Sequence, residues 1–183
     1  MVKAKDELIL ELFYNNPTKH WHFEELIKKA KISRPQLNNW LKKFLKEKLI
    51  KKPKPKDKMP YYVANYENPD YQNKKRLFIL NKLNDSGFLK HLSELPKAKT
   101  IILFGSLSRW DWYKDSDIDL FILGNSEGLK EGEFSKKLHR DIQIFSYKTK
   151  RELEKLNQGL LKNIIGGYKI KGNLDFLEVK PNV

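Results

Sequence analysis

Residues 100–123 have the sequence TIILFGSLSRWDWYKDSDIDLFIL, and this stretch decides the predicted fold. Its first five residues are apolar or β-branched, which indicates a buried central strand. Gly105 and Ser106 follow that strand, and after ten further residues Asp117 and Asp119 begin a second apolar run. Because successive side chains in a strand point to opposite faces, the two carboxylates are predicted to lie side by side on one face.

A pair of neighbouring carboxylates favours a bound cation. Like charges this close are unfavourable unless a cation neutralises them or one carboxylate takes a proton. Mg²⁺ prefers oxygen ligands and is commonly held by one or two carboxylates together with substrate phosphates. A third strand is predicted over residues 140–145, and its Asp141 would complete a set of three carboxylates with Asp117 and Asp119. Such a set suits nucleotidyl transfer with a two-metal site.

The motif formed by residues 105–119 resembles that of a known family. Gly-Ser, ten residues and Asp-Ile-Asp form the GS-x10-DxD pattern of the DNA polymerase β nucleotidyltransferase superfamily, and the chain is most similar to its MNT-type minimal members. The resemblance covers about residues 98–172. It implies an α+β domain with a small mixed sheet and a two-metal Mg²⁺ site. The implied reaction moves a nucleoside monophosphate, AMP from ATP or the equivalent from another NTP, to a hydroxyl acceptor.

The resemblance also assigns roles to individual residues. It implies that Gly105 lets the backbone approach the triphosphate and that Ser106 hydrogen-bonds a terminal phosphate. It implies that Asp117 and Asp119 bind the metal ions. Asp141 matches the third carboxylate of the family, which binds the catalytic metal and helps to activate the attacking hydroxyl.

The chain departs from the family pattern directly after the Gly-Ser pair. Minimal members often have GS-x-A-R-G, whereas this chain has Leu107-Ser108-Arg109-Trp110. Arg109 matches the arginine of that pattern and is predicted to point towards phosphate or towards a partner. The small residue and the glycine are missing. The short spacing from Asp119 to Asp141 leaves room for one brief helix around residues 129–139.

Each site residue also has an ordinary structural interpretation. The two aspartates of the motif would cap a turn, and Asp141 would be an acid at the edge of a strand. Gly105 would serve only the turn, and Ser106 only as a helix N-cap. Trp110 and Trp112 are predicted to pack in the core or at an interface rather than to stack on a base. The remaining polar candidates are predicted to have no role in the chemistry: Asp115 as a turn residue, and the scattered His20, His22, His91 and His139, which indicate no zinc site.

The first third of the chain has a helical pattern. Apolar residues recur at helical spacing in three segments: residues 6–13, 23–30 and 34–48. Ser33 is the predicted N-cap of the third helix. Two short strands, at residues 49–50 and 61–63, flank a lysine-rich tip. Three helices followed by a basic hairpin resemble a winged helix-turn-helix domain over about residues 3–66.

The winged-helix resemblance implies contacts with DNA. In that family the third helix usually enters the major groove, and the wing contacts the DNA backbone. Gln and Asn side chains are suited to adenine edges, and lysines mainly to phosphates. The residues implied to contact nucleic acid are Arg34, Gln36, Asn38, Asn39, Lys42, Lys43, Lys54, Lys56 and Lys58. Winged helices also serve as protein-interaction modules, so a protein-docking or structural role stays open.

Charge and composition restrict the class of protein. The chain has 37 Lys and Arg against 23 Asp and Glu, a formal net charge of +14, which favours polyanionic partners. Much of the excess is local, because residues 42–58 contain nine lysines and two acids. The absence of cysteine excludes disulfides, thiolate zinc sites and cysteine nucleophiles. No apolar run is long enough to span a bilayer and no signal peptide is visible, so a cytoplasmic protein with no membrane partner is predicted.

Together these observations predict an α+β chain with three parts. They are a winged helix-turn-helix domain over residues 1–67, a helical connector over 68–97 and a nucleotidyltransferase domain over 98–183. MNT-type members are frequently encoded beside HEPN-domain toxins and modify them by adding AMP, so the resemblance implies an antitoxin role with such a toxin as partner. The alternative is a DNA-binding transcriptional regulator whose transferase domain is catalytically silent and senses nucleotides. Association of the chain with itself is left open.

Overall fold

The computed structural model describes residues 5–56, 58–154 and 156–174. The chain divides into two compact units. The first unit extends to Lys75 and includes Trp112–Lys114, and the second contains Arg76–Asp111 and the residues from Asp115 onwards. Asp57 in the predicted hairpin tip lies outside the described residues. Residues 1–4 of the predicted winged-helix domain and residues 155 and 175–183 of the predicted nucleotidyltransferase domain also lie outside them. The predicted boundaries after residues 67 and 97 stay a prediction.

The first unit begins with three helices and a two-stranded sheet. The elements are α1 (Lys5–Asn15), α2 (Phe23–Ala30), α3 (Arg34–Lys46), β1 (Ile50–Lys51) and β2 (Val63–Ala64). The two strands pair antiparallel, with Ile50 opposite Ala64. Trp21 adds an isolated bridge to Tyr62. This is the predicted order of elements, and the winged-helix assignment itself stays a prediction.

The helix α3 starts where the sequence predicts. The Ser33 hydroxyl accepts a hydrogen bond from the Gln36 amide, and the Gln36 side chain accepts one from the Ser33 amide, which confirms the predicted N-cap. Leu37, Leu41 and Phe44 are buried along one face. Trp40 is only half-buried, and its ring stacks on that of Phe44 with centroids 6.3 Å apart.

A buried lysine holds the short Trp112–Lys114 segment within the first unit. Lys75, from the first part of α4 (Pro69–Asp85), is 1% exposed, and its Nζ donates a hydrogen bond to the Trp112 carbonyl oxygen at 2.6 Å. The same ammonium lies 4.5 Å from the centroid of the Trp112 ring. Trp112 is fully buried, as predicted, and the Tyr14 ring packs edge-on against it. Because a buried charge is unfavourable without partners, these contacts make the lysine tolerable at this position.

The second unit is built on a four-stranded mixed sheet. Its strands are β3 (Ala98–Phe104), β4 (Ile118–Gly124), β5 (Ile142–Tyr147) and β6 (Tyr168–Lys171), in the order β5-β4-β3-β6. β3 is antiparallel to both β4 and β6, whereas β4 and β5 are parallel. The predicted α+β class with a small mixed sheet is confirmed. Gly167 precedes β6, and a Cβ atom there would come within 2.5 Å of the Leu103 carbonyl oxygen, so a glycine is needed for the two strands to pair.

Helices complete the second unit beside the remaining part of α4. They are α5 (Phe88–Ser93), α6 (Gly105–Ser108), α7 (Glu131–Leu138), α8 (Lys150–Leu153) and α9 (Gln158–Ile165). α7 lies within the predicted helical interval of residues 129–139. The sequence pattern indicates one helix over residues 150–164, but the structure has two. The Asn157 side chain accepts a hydrogen bond from the Gly159 amide at 2.7 Å and thereby starts a new helix.

One face of the sheet carries a compact apolar cluster. Its buried members come from β3, β4, α8 and α9: Ile102, Phe104, Phe121, Leu123, Leu153 and Ile164. β3 and β4 contribute alternate residues to this face. The preceding positions of the same alternation in β4, Asp117 and Asp119, therefore lie on the face of the apolar cluster, and the packing of that cluster fixes their position. Within the part of the chain that the structure describes, no helix is both long and apolar enough to cross a membrane.

Replacing Trp112 tests the anchoring of the 112–114 segment. Trp112→Ala should lower the free energy of unfolding by about 3–5 kcal/mol, because it leaves a large cavity beside Lys75 and Tyr14. Trp110→Ala, at a half-buried tryptophan two residues earlier, should cost less. Urea unfolding followed by circular dichroism measures both variants. Equal losses in the two variants would contradict the buried role of Trp112.

Candidate functional site

The site begins where β3 ends. Phe104 is paired in register with Asp119 of β4, so the next residue, Gly105, lies against the Asp119 side chain. Gly105 has a φ of +70°, in the left-handed region that favours glycine. A Cβ atom added at Gly105 would meet Oδ2 of Asp119 and lie 2.9 Å from its Cγ. Gly105 is therefore needed both for the turn and for the close approach of the Asp119 carboxylate.

Ser106 is the second residue of the short helix α6 and is half-buried. The N-cap position of α6 is occupied by Phe104, so the interpretation of Ser106 as a helix N-cap does not match the structure. The Ser106 hydroxyl has no hydrogen-bond partner in residues 5–56, 58–154 and 156–174. By contrast, the Ser108 hydroxyl donates to the Gly105 carbonyl oxygen at 2.9 Å. The Ser106 hydroxyl is thus available to a ligand.

The two motif aspartates stand at the start of β4. Asp117 is exposed and directly precedes the strand, whereas Asp119 is half-buried as its second residue. Burial raises the pKa of Asp119 above its ordinary value, and the charge of Asp117 raises it further. The charge of Arg109 acts in the opposite direction on the same pKa. The charged form of Asp119 is therefore destabilised by burial and by repulsion from Asp117, and a bound cation would offset this repulsion.

Asp141 directly precedes the neighbouring strand β5. The Ile118 amide donates a hydrogen bond to the Asp141 carbonyl oxygen at 2.8 Å, and Ile118 is paired with Ile142. The Asp141 side chain is exposed. Among the described residues, no group of three or more His, Asp or Glu side chains is gathered closely enough to hold a metal ion. The structure thus brings Asp117 and Asp119 together but does not gather Asp141 with them into the predicted three-carboxylate cluster.

Gln143 lies next to the site and was missed by the sequence analysis. It is paired in register with Asp119 on the parallel strand β5, so the two side chains share one face of the sheet. Gln143 is exposed. The signal in the sequence is the alternation of polar and apolar residues in Asp141-Ile142-Gln143-Ile144, which repeats that of Asp117-Ile118-Asp119-Leu120. Only the strand register reveals that the two patterns are aligned.

Arg109 forms an ion pair that the sequence analysis also missed. Its Nε donates to Oδ1 of Asp111 at 3.1 Å, and its Nη2 donates to Oδ2 at 2.9 Å. The hydrogen bond with Asp111 raises the pKa of the guanidinium, and the charge of Asp119 adds to this effect. Arg109 was predicted to point towards phosphate or a partner, and it is held within the electrostatic reach of Asp119.

In the first unit, three of the predicted nucleic-acid contacts on α3 already have partners. Arg34 pairs with Glu24 at 2.8 Å, and Gln36 is engaged in the capping box of α3. Lys43 lies 3.8 Å from Asp6 and 5.0 Å from the centroid of the Trp40 ring. Any contact of these three side chains with nucleic acid would compete with their present partners.

The other predicted contacts are exposed. Asn38, Asn39 and Lys42 on α3 have no side-chain partner in the described part of the chain, and neither have the three hairpin lysines Lys54, Lys56 and Lys58. Lys46 lies one helical turn after Lys42, is equally exposed and was missed. The sequence feature that could have identified Lys46 is its i, i+4 spacing from Lys42, which places both lysines on one face of the helix. The structure therefore leaves an exposed face of α3 that carries two asparagines and two lysines.

The donor set at the start of β4 fits a divalent cation and phosphate groups. Asp117 and Asp119 supply oxygen ligands of the kind Mg²⁺ prefers, and their mutual repulsion is only partly offset by Arg109. The Ser106 hydroxyl, one residue after Gly105, has no hydrogen-bond partner among the described residues. These features define a site for phosphoryl or nucleotidyl transfer.

Comparison with known proteins agrees with this class. Residues 88–174 match the family described as Polymerase beta, Nucleotidyltransferase. The match covers slightly less than half of the chain and identifies its enzyme class as nucleotidyltransferase. No curated protein matches the chain.

Two crystal structures of the toxin-antitoxin MntA-HpeT contain chains similar to this one. One is a double aspartate-to-glutamate mutant and the other a tyrosine-to-alanine mutant. The sequence identities are 19% and 21%, and the matches cover 55% and 52% of this chain and 75% and 74% of the matched chains. The TM-score is 0.33 in both cases, a similarity too low to carry an argument about function.

Substitution of Gly105 tests the close approach to Asp119. Gly105→Ala should lower the free energy of unfolding by about 1 kcal/mol or more, because alanine is unfavourable at this φ and its Cβ would displace the Asp119 carboxylate. Gly132→Ala is the matched control, because Gly132 lies in α7 and an added Cβ meets nothing within 4 Å. Urea unfolding compares the two. A Gly105→Ala protein as stable as the Gly132→Ala protein would contradict the geometry.

Proposed function

We propose that this chain transfers a nucleoside monophosphate, AMP from ATP or the equivalent from another NTP, to a hydroxyl group in the presence of Mg²⁺. The observation that carries the proposal is the placement of Asp117 and Asp119 at the start of β4, with the Asp119 side chain directly beside Gly105. The family match over residues 88–174 supports the reaction class.

In this proposal two aspartates hold the metal. Asp117 and Asp119 are the ligands, and Asp141 lies at the start of the adjoining strand, outside this pair. A two-metal Mg²⁺ site at these residues would polarise the reacting phosphate and offset the negative charge that develops on it. The partial burial of Asp119 supports this assignment, because a half-buried carboxylate beside another carboxylate gains most from a cation.

The remaining residues act on the phosphates and on the acceptor. The exposed edge of Arg109 binds a phosphate, the Ser106 hydroxyl donates to the terminal phosphate, and Gly105 lets the backbone lie close to the triphosphate. The hydroxyl oxygen of the acceptor bonds to the α-phosphorus, and diphosphate leaves. The proton of the hydroxyl passes to Asp141, which is exposed and therefore accessible to an acceptor.

The acceptor in this proposal is a hydroxyl group of a partner protein. The resemblance of the GS-x10-DxD motif to MNT-type proteins implies an antitoxin that adds AMP to a HEPN-domain toxin. The exposed position of Asp141 supports a large acceptor, because the site is not enclosed on that side. A gene for a HEPN-like protein beside the gene for this chain would favour this partner.

Removal of both motif aspartates tests the transferase reaction. The wild type and the double variant Asp117→Ala plus Asp119→Ala are incubated with Mg²⁺, with ATP labelled at the α-phosphate and with candidate partner proteins. Labelling of the acceptor should fall by about 100-fold or more, because even second-shell changes at metal sites typically cost 10–100-fold. Asp115→Ala, at an exposed residue just before the motif, is the matched control and should retain activity. Equal labelling by the wild type and the double variant would refute the proposal.

A second candidate function is a DNA-binding regulator with a catalytically silent, nucleotide-sensing transferase domain. The observation that favours it is the exposed face of α3, where Asn38, Asn39, Lys42 and Lys46 have no partner in the described residues. Asparagine side chains are suited to adenine edges, and lysines to phosphates. DNA binding is compatible with an active transferase domain, whereas a silent domain is not. The labelling experiment distinguishes the two functions, and DNA binding should persist in the aspartate variants because it does not require these carboxylates.

Salt dependence tests the contact with nucleic acid. If lysines of α3 bind phosphates, the logarithm of affinity for duplex DNA should fall with the logarithm of salt concentration by about 0.9 per contact. Lys42→Ala should therefore reduce the slope by about 0.9. Lys74→Ala is the control, because Lys74 is exposed but lies on α4 and pairs with Glu47 at 3.6 Å. Fluorescence anisotropy over a salt series measures the slopes, and an affinity independent of salt would exclude this function.

A further inference from the structure

We infer that Asp111 is a positioning residue for nucleotide binding, because it holds one edge of the Arg109 guanidinium and leaves the opposite edge directed to a phosphate. The inference rests on the proposed function of the same site and adds a residue that neither the motif nor the family match assigns. It also explains how an arginine works here although the small residue and the glycine of the family pattern are absent.

The hydrogen bonds divide the guanidinium into an occupied and an open edge. Arginine has five N–H donors, one on Nε and two on each Nη. Asp111 accepts from Nε and from Nη2, at 3.1 and 2.9 Å. The two donors of Nη1 and the second donor of Nη2 have no partner among residues 5–56, 58–154 and 156–174. This open edge has the paired donors that bind phosphate in a bidentate manner.

The backbone brings the two side chains together. Arg109 follows α6 with φ −105° and ψ −139° at a bend of the chain, and its guanidinium reaches the Asp111 carboxylate two residues later. The Arg109 amide donates to the Ser106 carbonyl oxygen at 3.0 Å, so the arginine is tied to the residue predicted to bind the terminal phosphate. Asp111 thus acts on a side chain whose main chain is already fixed beside the site.

The exposure of the pair indicates what it is for. The Arg109 and Asp111 side chains are 45% and 43% exposed, and ion pairs this exposed contribute little to folding stability. The main consequence of two parallel hydrogen bonds is a fixed orientation of the guanidinium plane. The charge of Arg109 also reaches Asp119, where it opposes the rise in the pKa of that carboxyl caused by burial and by Asp117, so the fixed arginine lies within electrostatic reach of Asp119.

An alternative role for Asp111 makes the opposite prediction. If Asp111 merely neutralised Arg109 and competed with phosphate for it, its removal would free the arginine and strengthen nucleotide binding. If Asp111 orients Arg109, its removal lets the guanidinium rotate, and binding of phosphate then costs additional conformational entropy. The direction of the change in affinity therefore separates the two roles.

The test compares Arg109→Ala, Asp111→Ala and the double variant in the full chain. Calorimetry measures the Kd of ATP, inorganic tripolyphosphate and adenosine, each with Mg²⁺. Asp111→Ala should weaken binding of ATP and tripolyphosphate by about two- to five-fold, the range for one exposed ion pair. It should leave adenosine unchanged, because adenosine has no phosphate. The double variant should bind no more weakly than Arg109→Ala, because Asp111 acts through Arg109.

Two further variants separate orientation from general destabilisation. Glu127→Ala removes an ion pair of similar exposure, Lys97 with Glu127 at 2.8 Å, and should not affect any ligand. Asp111→Glu keeps the carboxylate and should bind ATP more tightly than Asp111→Ala. Thermal unfolding should be nearly the same in all of these variants.

The outcomes distinguish the inference from the proposed function. Unchanged or tighter ATP binding by Asp111→Ala, or additive losses in the double variant, would overturn the role of Asp111 while the transferase proposal stands. A wild type that binds neither ATP nor tripolyphosphate with Mg²⁺ would overturn both. The role of Asp111 is supported if Asp111→Ala weakens ATP binding and leaves adenosine binding unchanged. The same substitution should then have no further effect on ATP binding when Arg109 is already replaced by alanine.

Discussion

The candidate site depends on the contact between Gly105 and the Asp119 carboxylate. β3 and β4 are buried and antiparallel, and their register sets Phe104 opposite Asp119. The chain must then turn at Gly105, with a φ of +70°, in the space directly beside a charged side chain. Because glycine alone permits both the turn and the approach, the backbone of the Gly-Ser turn and the carboxylate of the second strand are held together by the core beneath them.

The part of this arrangement that could be predicted from the sequence is the part that depends on period-two alternation. The apolar run before Gly105 and the alternation of Asp117 with Ile118 and Asp119 determine both strands and the common face of the two carboxylates. The mixed sheet was implied by the resemblance of the GS-x10-DxD motif to a known family. The N-cap of α3 could also be predicted from the sequence. Ser33 has this role because its hydroxyl accepts a hydrogen bond from the Gln36 amide, one of the amides in the first turn that have no partner within the helix.

The remaining features depend on which elements meet, and a single sequence carries that information weakly. The position of Gln143 beside Asp119 follows from the register of two parallel strands. The break before α9 follows from one side-chain hydrogen bond of Asn157, which competes with a helix that apolar spacing favours. Trp40 is only half-buried although it has the helical spacing of the buried residues of α3, because the fold leaves that flank of the helix only partly covered.

The formal charges around the site support the proposed divalent ion. Asp117, Asp119 and Asp111 carry three negative charges, and Arg109 supplies one positive charge that two of these carboxylates share. Two negative charges are left without compensation from these four residues. A side chain with a single positive charge would neutralise only one of the two remaining negative charges, and the half-buried Asp119 would still lie beside a charged neighbour. One divalent cation neutralises both charges. With the cation bound, the open edge of Arg109 faces no excess of negative charge, and a phosphate becomes its most favourable partner.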